Sequence, residues 1–145
     1  MLSCSGSAVT RALPEDAWAA WVDVARWGAG DVIKTARLDG EFREGSTLVS
    51  KPKGFPAVTA LGISWTITRV EPPRLWVGES HGPGARMIAE HLIEPGEAGT
   101  KLTERLSFSG PLGGLLERIV QRRLQATLAS MTEQIAREAE RRSSA

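Results

Sequence analysis

The chain has 145 residues, 41% hydrophobic and 24% charged, with 18 Lys+Arg against 17 Asp+Glu and a formal charge of +1. That length suits one domain that buries roughly two-thirds of its unfolded surface without a disulfide or a metal. The near-neutral balance gives no support to a nucleic-acid or membrane-surface partner, and no apolar run is long enough to anchor the chain in a bilayer.

The opening MLSCSG lacks the basic and apolar stretches of a secretion signal. The single cysteine, Cys4, has no partner for an internal disulfide, which fits a reducing compartment. The expectation is a soluble cytoplasmic protein, a monomer or homodimer, in which residues 1–145 form one domain with a core over about 7–140 and short flexible termini.

In chain order, SAVTRAL (7–13) alternates as a first strand that stops at Pro14. PEDAWAAWVDVARW then places a proline and two carboxylates at a helix start, where the missing N–H and the positive end of the helix suit them. Trp18, Trp21 and Val22 share one face of that helix, which predicts that aromatic burial pins it. GAGD (28–31) ends it. Strand character follows over 32–39, 46–51, 62–70, 74–80, 86–94 and 101–108, separated by the turn signals DGEFREG, PKGFP, EPP, HGPG and EPGEAG. Short strands with tight connections imply an antiparallel meander.

The chain closes with a long helix opened by Gly110 and Pro111. Leu112, Leu116, Ile119, Leu124, Leu128, Met131 and Ile135 recur on it at spacings near three to five. Arg118, Arg122, Glu133, Arg137 and Glu140 occupy other positions, and interleaved glutamates predict a solvated outer face.

This order resembles the polyketide cyclase/dehydratase-like branch of the SRPBCC (START-like) superfamily. The resemblance is carried by PEDAWAAWVDVARW, ARLDGEFREGS (36–46), ITRVEPPRLW (67–76), PGARMIAEHLIEP (83–95), GTKLTERLSFSGPLG (99–113) and the terminal helix. It implies an α+β helix-grip fold: a seven-stranded curved antiparallel sheet wrapped around the C-terminal helix, with one or two short helices after the first strand. A cavity between sheet and helix is implied too. The superfamily includes carriers, receptors, cyclases, hydrolases and co-chaperones, so the fold alone does not choose a function.

Strand alternation assigns the side chains to faces. In RMIAEHLIE (86–94), Met87, Ala89, His91 and Ile93 share one face and Glu90 the other, so the neighbours Glu90 and His91 are not a pair. In the next strand Glu104 is the odd member of an apolar row with Leu102, Leu106 and Phe108. Folding the PGEAG turn back places Glu104 about opposite His91. An inward His/Glu pair has three possible roles: mutual satisfaction of two polar groups, a polar handle for an apolar ligand, or general acid/base chemistry with Glu104 orienting His91.

Other candidates are bland. His81 beside HGPG reads as a turn or rim residue. Two histidines and a distant cysteine do not make a zinc site, and GPLGG (110–114) is a helix start that lacks the lysine and glycine spacing of a phosphate loop. Trp18 and Trp21 read as core, Trp65 shares a face with Ile63 and Ile67 and looks inward, and Trp76 falls on either face.

Two departures from the resembled family bear on the cavity. WGAGD puts glycines after Trp27 where relatives have a second tryptophan, which implies a more open or mobile mouth. The small Ala89 stands where relatives often carry an aromatic, which implies a larger cavity beside His91. The chain contains no tyrosine, so no phenol serves as a proton donor.

The reading that follows is a cofactor-free, metal-free container for a small apolar or amphipathic molecule, lined by Trp65, Met87, Ala89, His91, Glu104, Leu106, Phe108, Leu124 and Leu128. One alternative is a cyclase or dehydratase using His91 with Glu104. Another is a co-chaperone-like module that makes contact through its exposed sheet face.

Overall fold

A computed structural model describes residues 2–55 and 61–144. Strand β1 (Leu2–Thr10) is followed by helix α1 (Pro14–Val22) and a 3-10 segment (Val24–Ala29). Six strands come next: β2 (Ile33–Asp39), β3 (Thr47–Pro52), β4 (Ile63–Glu71), β5 (Leu75–Gly82), β6 (Ala85–Gly96) and β7 (Gly99–Ser109). The long helix α2 (Gly113–Ser143) closes the chain.

The seven strands form one sheet in the order β1-β7-β6-β5-β4-β3-β2, antiparallel throughout. Strands β1 and β2 are adjacent in sequence yet lie on opposite edges. The segment that joins them, α1 with the 3-10 turn, therefore has to cross the open side of the curved sheet. It does so with Pro14 in the first turn of α1 and Glu15 and Asp16 beside it, the arrangement expected of a helix N-terminus.

α1 ends at Val22 rather than at GAGD, the 3-10 segment carrying the chain past Trp27, and two starts differ most from the sequence expectation. β1 occupies Leu2–Thr10 rather than 7–13, because small residues of weak strand propensity, Ser3 to Ser7, gain their ladder by pairing with β7. The strand ends where the Thr10 hydroxyl accepts from the Ala12 N–H. Helix α2 begins at Gly113, not Gly110: Gly110 takes φ +93°, outside helical space, and the Leu112 N–H donates to the Gly84 carbonyl at 2.8 Å.

Helix α2 lies principally on β1, less on β7 and little on β6. Its seat on β1 is made by a glycine. A Cβ at Gly6 would lie 2.4 Å from the Ala129 backbone nitrogen and 2.5 Å from the Leu128 carbonyl carbon. Farther along, the Thr10 hydroxyl donates to the Ala136 carbonyl at 3.0 Å, and the Arg11 N–H donates to Glu140. At the end of α2, Arg142 pairs with Asp23 and the Ser143 hydroxyl donates to Asp16, which ties α1 to the same helix.

Core side chains form two clusters. One joins α1 and the second half of α2 to the sheet through Trp21, Trp76, Ile93, Leu102, Met131 and Ile135. The other sits under the middle of α2, around Cys4, Ala89, Leu106, Phe108, Leu124 and Leu128. Trp65 packs against both. Leu124, Leu128, Met131 and Ile135 are buried as the spacing predicts, but Leu112, Leu116 and Ile119 are exposed. They point off the buried face, which in this stretch is formed by Gly113, Glu117 and Val120 against Phe108 and Cys4.

Because backbone atoms oppose a side chain at Gly6, relief requires the helix to move. Gly6→Ala is expected to destabilise the fold by about 2–3 kcal/mol, read as a fall in Tm of roughly 5–10 °C in thermal denaturation.

Candidate functional site

The antiparallel register places Trp76, His91 and Glu104 side by side in one row across β5, β6 and β7, and Gly6 of β1 continues that row. His91 is buried and opposite Glu104, as alternation and the folded-back turn predict. The adjacent row contains Ile67, Gly78, Ala89, Leu106 and Cys4. Gly78 and Ala89 leave a hollow in the sheet, and the Trp65 indole lies over Gly78 at ordinary contact distance.

Above this hollow is a cavity of about 240 Å³. All nine residues named from the sequence line it: Trp65, Met87 and Ala89, the polar pair His91 and Glu104, Leu106 and Phe108 from β7, and Leu124 and Leu128 from α2. Trp21, Trp27, Trp76, Ser50 and Gly78 line it as well. Trp21 belongs to the core and to the cavity wall at once. Trp76 has no face assignable by alternation because Leu75, Trp76, Val77 and Gly78 are all buried, so the period of two carries no signal there.

The remaining residues singled out lie elsewhere. Trp18 is half-buried and meets Phe42 edge-on, with ring centres 6.2 Å apart. His81 is exposed at a strand end and pairs with Glu79 at 3.6 Å. The glycines after Trp27 have a packing reason. A Cβ at Gly30 would strike the Gln134 amide, which donates to the Trp27 carbonyl at 3.0 Å and ties this segment to α2. The expectation of a looser mouth at WGAGD does not describe Gly30, where the missing side chain admits a close contact.

His91 is held on three sides. Its ring stacks on Trp76 with centres 3.5 Å apart and planes 3° from parallel, and Trp21 meets it edge-on at 5.2 Å. Its Nδ1 lies 3.2 Å from the Trp76 carbonyl oxygen. A carbonyl only accepts, so Nδ1 carries the hydrogen and the neutral ring presents a bare Nε2. That Nε2 is 3.7 Å from Glu104 Oε2, just beyond hydrogen-bond reach. Burial pushes His91 down to about 3, with the Trp76 carbonyl opposing the shift, and burial pushes Glu104 up to about 8. At neutral pH the two groups are therefore uncharged, a carboxylic acid beside an imidazole lone pair, although their spacing is that of an ion pair.

The rest of the polar lining is sparse. The Trp65 indole N–H donates to the Ser50 hydroxyl at 3.2 Å, and Thr127 contributes a second hydroxyl. Among the described lining residues no lysine or arginine appears. Among the described residues no group of three or more His, Cys, Asp or Glu side chains is placed to hold a metal ion.

A curved antiparallel sheet gripping a long C-terminal helix over an apolar cavity defines a helix-grip α+β protein. The chain belongs to the family described as polyketide cyclase / dehydrase and lipid transport, whose model matches residues 1–140. Solved structures agree on the fold. A Thermus thermophilus protein has a TM-score of 0.76 at 13% identity, covering 98% of this chain and 99% of its own. An Arthrobacter aurescens protein has a TM-score of 0.69 at 20% identity, covering 97% and 87%. The di-domain ARO/CYC StfQ from the steffimycin biosynthetic pathway has a TM-score of 0.71 at 11% identity, and this chain, 99% covered, spans 52% of it. None of the curated proteins matches the sequence.

The buried pair predicts a pH profile of stability. From about pH 3 to 6.5 the unfolded chain holds a proton on His91 that the folded chain lacks, so stability rises with pH. From 4.5 to about 8 the folded chain holds a proton on Glu104 that the unfolded chain has lost, so stability falls with pH. The two slopes cancel between 4.5 and 6.5. The unfolding free energy is expected to fall from pH 6.5 to 8 by about 1.4 kcal/mol per pH unit or less, seen in thermal melts as a declining Tm, and Glu104→Gln is expected to flatten that decline.

Proposed function

We propose that residues 1–145 act as a single ligand-binding domain that encloses one small, mainly apolar organic molecule between sheet and α2. The observation that carries this reading is an aromatic-walled cavity whose polar content is concentrated in one uncharged His91/Glu104 pair. Such a wall with a few fixed polar groups is the usual make-up of a small-molecule site. The volume, about 240 Å³, lies below the roughly 300–1,000 Å³ common for ligand pockets and favours a compact ring system over a long-chain lipid. With no cationic side chain among the described lining residues, an anionic head would be desolvated without a counter-charge. The favoured ligand is uncharged and carries one group that meets the acid of Glu104 or the lone pair of His91.

The cyclase or dehydratase reading draws support from the family and from the bare Nε2, which is the atom a general base needs. Its strength argues against it: an imidazole held near 3 is a weak base at neutral pH. Holding the ligand, with Glu104 and His91 as its polar contact, fits the electrostatics better than moving its protons.

Native mass spectrometry of freshly purified protein, followed by solvent extraction, is expected to release a compact neutral molecule. A single unbound mass together with no binding across a panel of aromatic ligands would refute the container. Ala89→Phe is expected to fill the hollow and weaken binding at least about tenfold while the far-UV spectrum stays unchanged, since the lost volume is the site itself. His91→Ala that abolishes turnover of a candidate substrate but leaves its affinity intact would favour the enzyme.

A further inference from the structure

The overall charge of +1 conceals a segregation along α2. In residues 111–130 the cations Arg118, Arg122 and Arg123 are all exposed, and the sole acid, Glu117, is buried with its Oε1 3.6 Å from the Cys4 thiol. The acids Glu133, Glu138 and Glu140 come later, interspersed with Arg137, Arg141 and Arg142. The glutamates expected to neutralise the outer face are therefore absent from the surface of its first half.

Before and among those arginines the same stretch exposes Leu112, Leu115, Leu116 and Ile119, Ile119 to 72%. Leu116 and Val120 also line the cavity, and Arg123 lies over the Phe55 ring, itself part of the cavity wall. An apolar strip with three arginines, of which Arg123 donates to the Gly54 carbonyl, thus flanks the α2 wall of the cavity.

We propose that this first half of α2 is a reversible docking surface for an anionic lipid bilayer, with Leu115 and Ile119 entering the interface and Arg118, Arg122 and Arg123 contacting lipid headgroups. The complementarity is the one that seats an amphipathic helix in a membrane surface, where apolar area and basic residues act together. Docking there brings the α2 wall of the cavity next to the apolar phase from which a poorly soluble ligand is drawn. The surface stands apart from the identity of that ligand, and its test does not depend on it.

Protein comprising residues 1–145 is floated with phosphatidylcholine vesicles and with vesicles containing phosphatidylglycerol. Binding is expected only to the second kind and is expected to weaken as salt rises. Ile119→Glu and Arg122→Glu should each lower vesicle partitioning about tenfold or more, with melting and any cavity-ligand binding unchanged because both side chains are exposed. Failure to bind anionic vesicles, or binding that both variants retain, overturns the proposal. So does a micromolar dimer that Ile119→Glu splits in sedimentation, because a second copy of the chain would then occupy the face.

Discussion

One row of residues across the sheet organises the molecule: Gly6, Glu104, His91 and Trp76, neighbours on four adjacent strands. At the Gly6 end the row has no side chain, and the backbone of α2 descends onto the strand. At the other end it has an indole. A helix that touches down at one edge of a curved sheet cannot also touch the middle, so the space over β5 and β6 is left to whatever side chains project into it. The cavity is in this sense a by-product of where the helix is allowed to sit. Gly78 and Ala89 in the next row deepen it.

The same row explains why two ionisable groups are tolerated in the interior. A lone buried charge is costly, whereas a neutral acid beside a neutral base has donors and acceptors without net charge. The Trp76 carbonyl fixes which imidazole nitrogen carries hydrogen, and the stacked indole fixes the plane of the ring. Register, tautomer and ring orientation are thus set by one strand pair. The chemistry of the site depends on sheet geometry more than on any sequence motif.

Much of this was legible because strands alternate. Met87, Ala89 and His91 could be placed on one face of β6, and a tight PGEAG turn sufficed to set Glu104 opposite His91. Where alternation vanishes, legibility does too: β5 is buried on both sides at Leu75–Gly78, so Trp76 could not be assigned although it is the main contact of His91. β1 was misplaced because Ser3, Cys4, Ser5 and Gly6 owe their extended form to pairing with β7, a partner about a hundred residues away in sequence. The apolar stripe of α2 was read correctly over Leu124, Leu128, Met131 and Ile135, but the leucines and isoleucine before it belong to another face. Ile119 precedes Leu124 by five residues, about 140° round the helix, and the face it was assigned to is filled instead by Gly113, Glu117 and Val120.

The tryptophans have a consequence of an optical kind. Of the five in the chain, Trp21, Trp27, Trp65 and Trp76 line the cavity, and Trp76 is in van der Waals contact with an imidazole ring. Four of the protein's five near-ultraviolet emitters therefore stand at the wall of one small compartment. Any aromatic guest becomes an energy acceptor or a stacking partner for most of the chain's chromophores at once, so the molecule is its own gauge of occupancy.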